Sequence, residues 1–138
     1  MVPNKGNFME TYEVVPQAPI VVDSLNGFAN ACHLANMKWW TSMHTGQLLI
    51  RNKGEVLMLI VTEIAEAMEG VRKDCMDDKL PHRKMEEVEL ADALIRIFDY
   101  AAAYNLDLSG AFAEKMLYNA TRVDHTHAAR LAPGGKKI

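Results

Sequence analysis

The chain has little of what marks several common protein classes. Its two cysteines, Cys32 and Cys75, lie far apart in the sequence and form neither a C-x-x-C pair nor a zinc-binding spacing with histidine. No apolar run approaches the roughly 18–20 residues that are needed to cross a bilayer. The N-terminal residues lack the apolar stretch of a signal peptide. The sequence therefore predicts free thiols and a cytoplasmic protein without a membrane partner.

Positive charge is also scarce. The 138 residues contain 15 Lys and Arg against 18 Asp and Glu, which gives a net charge of −3. Nucleic-acid binding requires a clustered excess of basic residues, so we expect no nucleic-acid partner. The phosphate-binding G-x-x-x-x-G-K-[ST] loop is missing, which excludes the P-loop ATPases. No E-x-x-H pair occurs, which excludes a ferritin-like di-iron bundle.

Hydrophobic residues recur with helical spacing over four stretches, and no strand pattern competes strongly. The predicted helices cover residues 24–38, 55–73, 84–105 and 109–124. Residues 1–22 contain three prolines and no helical period, so they are predicted to form an extended arm. Residues 125–138 are predicted to form a C-terminal tail. The sequence thus predicts one all-α domain over residues 23–124, arranged like a four-helix bundle.

The second and third predicted helices are apolar around most of their circumference. The apolar residues of the second include Leu57, Ile60, Val61, Ile64, Met68 and Val71. Helices of this kind lie at the centre of a bundle or in a subunit interface. Because a monomer of four helices could not cover so much apolar surface, the pattern predicts that the chain assembles into an oligomer.

These two apolar helices nevertheless carry four carboxylates, Glu63 and Glu66 on one and Glu89 and Asp92 on the other. Positions i and i+3 share a helix face, so antiparallel packing would bring all four together. Each close pair would then repel by roughly 4 kcal/mol at an effective dielectric constant near 20. A divalent cation removes this repulsion, and oxygen ligands favour Mg²⁺ or Mn²⁺ over zinc.

Such ions usually complete their coordination with water and phosphate oxygens, so the pattern predicts a metal-dependent site for a phosphate compound. The alternative is that the four carboxylates lie on solvated faces of amphipathic helices, which is common for an isolated E-x-x-E. Their apolar neighbours, among them Ile60, Ile64, Leu90 and Leu94, leave little room for a solvated face.

The spacing E-x-x-E, 22 residues, E-x-x-D resembles the signature of the MazG-like nucleoside triphosphate pyrophosphohydrolases, an all-α superfamily. The similarity runs from about residue 39 to residue 137, through EIAEAMEGVRK, ELADALIRIFDYA, EKMLYNATRVDH and the GGKK tail. These segments resemble compact single-domain members from phages and bacteria. One departure is Thr62, which stands where many members carry a further acid, so the role of that acid is open here.

The resemblance implies Mg²⁺-dependent hydrolysis of a ribo- or deoxynucleoside triphosphate to the monophosphate and pyrophosphate. Two or more Mg²⁺ ions, replaceable by Mn²⁺, would be held by Glu63, Glu66, Glu89 and Asp92. Either Glu63 or Glu66 would also take the proton of the metal-bound water. The resemblance further implies a dimer or a dimer of dimers, in the cytoplasm of a bacterial cell or a phage-infected host.

The segments EGVRK and YNATRVDH resemble those of phage and bacterial members with broad or purine-leaning preference, which implies a purine substrate, with dGTP first. Two alternatives stay open. One is a pyrimidine pyrophosphatase that acts on dUTP or dCTP. The other is a non-catalytic helical interaction module whose acids only bind metal.

Lys115, Asn119 and Arg122 follow one another at spacings of four and three residues, which places them on one stripe of the fourth predicted helix. The resemblance implies that Lys115 and Arg122 contact phosphate and that Asn119 contacts the sugar or the base. Arg96 follows Asp92 by four residues and is predicted to orient that carboxylate.

Trp39, Trp40 and His44 lead into the first acidic helix. Their spacing resembles the approach that lines the base pocket in dCTP-hydrolysing relatives, so Trp40 and His44 are predicted base contacts. Arg72 and Arg83 flank the turn between the two acidic helices and are predicted to reach the triphosphate. For all of these residues the alternative is an ordinary place in the core or on a solvated surface.

Overall fold

The computed structural model describes the backbone of residues 18–136 and the side chains from residue 24 onward. It contains five α-helices, which are α1 (Ala18–Asn36), α2 (Lys53–Lys73), α3 (Met85–Ala103), α4 (Leu108–Thr121) and α5 (His127–Leu131). Within the described residues there is no strand, only two isolated bridges at Thr41–Leu48 and Met76–Lys84. The predicted all-α class is therefore confirmed.

The ends of the chain differ from the prediction. The sequence predicts an extended arm through residue 22, whereas α1 begins at Ala18. Pro19 is compatible with this start because its fixed φ angle and missing N–H are tolerated in the first turn of a helix. Residues 1–17 of the predicted arm lie outside the described residues. The predicted tail contains α5, whose capping residue Thr126 accepts from the backbone N–H of Ala129.

Helices α2 and α3 form the central pair. Asn52 caps α2, and its Oδ1 accepts from the backbone N–H groups of Gly54 (2.8 Å) and Glu55 (3.3 Å). The loop between the helices reverses the chain, so that the end of α2 meets the start of α3. A Cβ atom on Gly70 would lie 3.0 Å from the backbone N of Glu86 and 3.0 Å from Cβ of Met85. Glycine at this position therefore permits the close approach of the two helices.

Helix α1 connects this pair to α4, because it packs against both α3 and α4. The backbone N–H of Asn26 donates to Oγ of Ser109 (2.9 Å), and the backbone N–H of Ser109 donates to Oδ1 of Asn26 (3.1 Å). Ser109 is fully buried at this contact. Asp107 caps α4 through the backbone N–H of Gly110. In the described part of the chain, α4 has no comparably extensive contact with α2 or α3.

Much of the apolar surface of α2 stays exposed in the single chain. Five residues, which we call the α2 apolar stripe, are between 44% and 59% exposed. They are Leu57, Val61, Ile64, Met68 and Val71. Their alternating spacing of four and three residues is that of a coiled-coil seam. An apolar face of this length is typical of an interaction surface.

No helix within residues 18–136 combines the length and hydrophobicity that crossing a membrane requires.

Candidate metal centre and adjoining cleft

Three of the four predicted acids meet across the interface of α2 and α3. Glu63, Glu89 and Asp92 each place one carboxylate oxygen within 4.8 Å of the other two. We call these three residues the acidic cluster. Glu63 and Glu89 are buried, and Asp92 is exposed. Three carboxylate oxygens at this spacing are a suitable ligand set for a hard divalent cation.

Glu66 lies beside the acidic cluster rather than within it. Its side chain is exposed, one helical turn from Glu63, and its charge acts on Glu89. The pKa of Glu89 is raised from 4.5 to about 6. The main cause is burial, followed by the charge of Glu66, a hydrogen bond with Glu63, and the charges of Glu63 and Asp92. This rise corresponds to roughly 2 kcal/mol of cost for the ionised form. The protein groups around the cluster therefore do not fully compensate its negative charge.

Arg96 supplies the one cation that pairs with the cluster in the described residues. Its Nε donates to Oε1 of Glu63 at 2.6 Å. The sequence predicts that Arg96 orients Asp92, its neighbour one turn away, but the structure pairs it across the interface with α2. Antiparallel packing explains the difference, because it brings α2 within reach of a long side chain on α3. One arginine among three carboxylates leaves the cluster with a net negative charge.

An open cleft of about 640 Å³ adjoins the cluster. It is lined by Asn36, Trp39, Leu49, Arg51, Leu59, Asp92, Ile95, Arg96 and Asp99. Asp92 therefore belongs both to the acidic cluster and to the cleft wall. Arg96 also lines the cleft and contacts the cluster through Glu63. The volume lies in the range of small-molecule sites. With an exposed indole, two arginines and aliphatic side chains, the lining is suitable for a ligand that has both a planar ring and anionic groups.

Trp39, and not the predicted Trp40, lines the cleft. Trp40 is only 6% exposed, and its Nε1 donates to both carboxylate oxygens of Asp99 at 2.9 and 3.0 Å. Trp39 is 62% exposed. His44 is exposed in a tight turn, which is closed by a hydrogen bond from the N–H of Ser42 to the backbone oxygen of Gln47, and it does not line the cleft. Trp40 is therefore a packing residue in this structure, and the aromatic side chain on the cleft is its neighbour.

The two arginines that flank the turn between α2 and α3 have local partners. Arg72 pairs with Glu69 at 2.6 Å, and Arg83 lies 3.7 Å from Glu87. Both arginines are exposed, and neither lines the cleft. Exposed ion pairs of this kind contribute little to stability, so both side chains are free to exchange partners.

The three predicted substrate contacts of the α4 region also stay away from the cleft within one chain. Nζ of Lys115 lies 4.9 Å from the centre of the Tyr118 ring, and Arg122 pairs with Asp124. Oδ1 of Asn119 is buried without a hydrogen-bond partner in the part of the chain that the structure describes. Because α4 packs on α1, the chain itself does not bring these residues to the acidic cluster.

Asn36, Arg51 and Asp99 line the cleft although the sequence analysis does not select them. One signal could have revealed Asp99, which follows Asp92 by seven residues and Arg96 by three and so continues their helix face. Asn36 and Arg51 lie at a helix end and in a loop, where side-chain direction does not follow from periodicity.

Comparison of the chain with protein-family models, with curated proteins and with solved structures found no match. The functional conclusion therefore depends on the geometry of the acidic cluster and the cleft.

Proposed function

We propose that this chain is a Mg²⁺-dependent nucleoside triphosphate pyrophosphohydrolase of the MazG-like type. The observation that carries the proposal is the convergence of Glu63, Glu89 and Asp92 at the interface of α2 and α3. Excess negative charge at a partly buried site favours the uptake of a divalent cation. The adjoining cleft, with Trp39 and Arg51 in its wall, has the size and the chemistry for a nucleotide.

The acidic cluster would hold the metal, two or more Mg²⁺ ions with Mn²⁺ as a substitute. Glu66 would join as a further ligand by a change of side-chain torsion, because its side chain is exposed beside the cluster. When bound, the cations would neutralise phosphate oxygens and lower the pKa of a coordinated water. This ligand set supports phosphoanhydride hydrolysis.

The division of roles between the first two acids follows from their contacts. Arg96 engages Glu63, which leaves the exposed Glu66 to accept the proton of the attacking water. The water oxygen bonds to phosphorus as the bridging bond between the α- and β-phosphates breaks. Pyrophosphate leaves with the electron pair of that bond, and the nucleoside monophosphate is the second product.

The lining of the cleft does not select one base over another. The exposed indole of Trp39 would stack on any base, so it selects little by itself. The resemblance of the segments EGVRK and YNATRVDH favours a purine, with dGTP first, over dUTP or dCTP.

The proposal includes assembly into a homodimer or a dimer of dimers in the cytoplasm of a bacterial cell or phage-infected host. The exposed α2 apolar stripe supports assembly, because solvent contact with five large apolar side chains is unfavourable. A second chain would then be the source of Lys115, Asn119 and Arg122 at the cleft, and would complete the bundle around α2 and α3.

The test is a panel of the eight common ribo- and deoxynucleoside triphosphates together with dUTP, incubated with Mg²⁺ or with EDTA, with the products separated by ion exchange. We expect equimolar monophosphate and pyrophosphate with Mg²⁺ and neither product with EDTA. Asp92→Asn should remove this activity, whereas Glu114→Gln, an exposed carboxylate on α4, should retain it. Release of orthophosphate alone, or no turnover of any nucleotide, would contradict the proposal. Metal uptake without turnover would favour the non-catalytic metal-binding module.

A further inference from the structure

A second carboxylate site lies on α3 beyond the acidic cluster, and the metal chemistry does not use it. Asp99 is 8% exposed and accepts hydrogen bonds from Nδ1 of His33 (2.7 Å), Nδ2 of Asn36 (3.2 Å) and Nε1 of Trp40. Burial of an ionised carboxylate is costly unless donors satisfy it, and here three side chains from α1 and the segment after it do so. Asp99 therefore fixes the positions of Asn36 and Trp40 relative to α3.

The indole of Trp40 in turn holds an arginine. Cζ of Arg51 lies 5.3 Å from the centre of the Trp40 ring, within the range of a cation–π contact. The rings of His33 and Tyr104 pack edge-on against the same indole, at centroid distances of 5.5 and 5.8 Å. The hydroxyl of Tyr104 also donates to the backbone oxygen of Arg51. Both the indole and the backbone at Arg51 are thus held in place.

Arg51 has no carboxylate partner among the described side chains of residues 24–136, although most other arginines there have one. It is half-buried and lines the cleft whose wall also contains Asp92 and Arg96. A half-buried guanidinium without an anion, in the cleft beside a metal-ligand set, is suited to an anionic group of the ligand.

We propose that Arg51 binds a phosphate group of the ligand, and that Asp99 is a positioning residue which holds Arg51 in place through Trp40. The identity of the anion as a nucleotide phosphate rests on the proposed function, whereas the chain of contacts from Asp99 through Trp40 to Arg51 does not. The cluster would engage the ligand through metal at Asp92, and Arg51 would engage it at a second point of the same cleft.

The test measures binding of two probes in the presence of Mg²⁺ by titration calorimetry. The first is the α,β-methylene analogue of dGTP, which resists cleavage at the scissile bond, and the second is inorganic triphosphate. Loss of one charge-assisted phosphate contact should weaken binding of both probes about tenfold to a hundredfold in Arg51→Gln. Arg51→Lys should recover part of the loss, because it keeps the charge without the planar fork. The matched control is Lys53→Gln, which removes a charge two residues away that contacts the ring of Tyr104 and does not line the cleft.

Asp99→Asn should weaken binding in the same direction as Arg51→Gln, because either orientation of the amide places an N–H at an oxygen that accepts from Nε1 of Trp40. The double variant should bind no more weakly than Arg51→Gln alone, since Asp99 acts through Arg51. Additive losses would show that Asp99 does not act through Arg51, and unchanged binding in Arg51→Gln would overturn the phosphate contact. Arg51→Gln and Arg51→Lys test that contact even where Asp99→Asn does not fold.

Hydrolysis separates this inference from the proposed function. In an active enzyme, Arg51→Gln should raise the KM for dGTP by the same factor as the loss of binding, with a much smaller change in kcat. Full wild-type turnover with an unchanged KM in the variant would refute the inference and leave the proposed function standing. If the protein turned over no nucleotide but bound inorganic triphosphate in a way that depends on Arg51, the proposed function would be refuted and the phosphate contact of Arg51 would stand.

Discussion

The charge of Glu89 gives the sharpest prediction about the metal-free protein. Its pKa is raised from 4.5 to about 6, with burial as the main cause. A carboxyl whose pKa is raised on folding contributes stability below its unfolded pKa, and that contribution is lost as the pH rises through the folded value. From these two pKa values the ionised Glu89 lowers the free energy of unfolding by about 2 kcal/mol at pH 7.5 and by less than about 1 kcal/mol at pH 5.

Glu89→Gln keeps the shape of the protonated side chain and removes the charge. In EDTA the variant should therefore be more stable than the wild type by about 2 kcal/mol at pH 7.5, and the gain should shrink by about half or more at pH 5. Urea unfolding followed by circular dichroism at both pH values measures the difference. Mg²⁺ should stabilise the wild type and have little effect on the variant, because the variant lacks one ligand of the cluster.

The matched control is Glu114→Gln, which removes an exposed carboxylate on α4. It should change neither the pH dependence nor the response to Mg²⁺. A Glu89→Gln protein that is less stable than the wild type at pH 7.5 in EDTA, or equally stabilised at both pH values, would refute the reasoning about repulsion in the cluster.

Three further predictions address the catalytic base, the helix contact and the assembly. Glu66→Gln should reduce pyrophosphate release at least about a hundredfold, while the thermal unfolding midpoint stays within a few degrees of the wild type. Full activity in the metal-stripped, repurified variant would contradict the role of Glu66 as proton acceptor. Gly70→Val should destabilise the protein by about 2 kcal/mol in urea unfolding, because its side chain would press on the backbone of Glu86 at the start of α3. An unchanged midpoint would show that the helices can separate freely at this contact. Met68→Lys should convert the proposed oligomer to monomers in sedimentation velocity, because it places a charge in the α2 apolar stripe. An oligomer that persists unchanged would mean that the stripe is not the interface.

The helices could be predicted because their signals are local. Apolar spacing located α2 and α3 to within a few residues at each end, and the predicted start of α4 at residue 109 lies one residue from its observed start at Leu108. The same spacing argument placed Glu63, Glu89 and Asp92 together, since an i, i+3 pair and a short antiparallel turn leave little freedom. The predicted arm extended too far at its C-terminal end, because proline, here Pro19, is compatible both with an extended chain and with the first turn of a helix.

The cleft could not be predicted in the same way because its contacts join distant parts of the sequence. The choice between Trp39 and Trp40 depends on Asp99, which lies 59 residues beyond Trp40 and supplies the buried acceptor for its indole. The partner of Arg96 depends on the register of two packed helices, and periodicity within α3 gives no information on that register. Arg51 lies outside the helices, where the path of the backbone decides which way a side chain points.

The central claim is that Glu63, Glu89 and Asp92 bind a divalent cation at the interface of α2 and α3. The most direct measurement is a Mn²⁺ titration followed by electron paramagnetic resonance, with wild-type protein and Asp92→Asn side by side. We expect the wild type to remove at least one Mn²⁺ ion per chain from the free pool, Mg²⁺ to compete for the same sites, and Asp92→Asn to bind at least about tenfold more weakly. A wild-type protein that leaves Mn²⁺ free at millimolar concentrations, or an Asp92→Asn protein that binds equally well, would contradict the account.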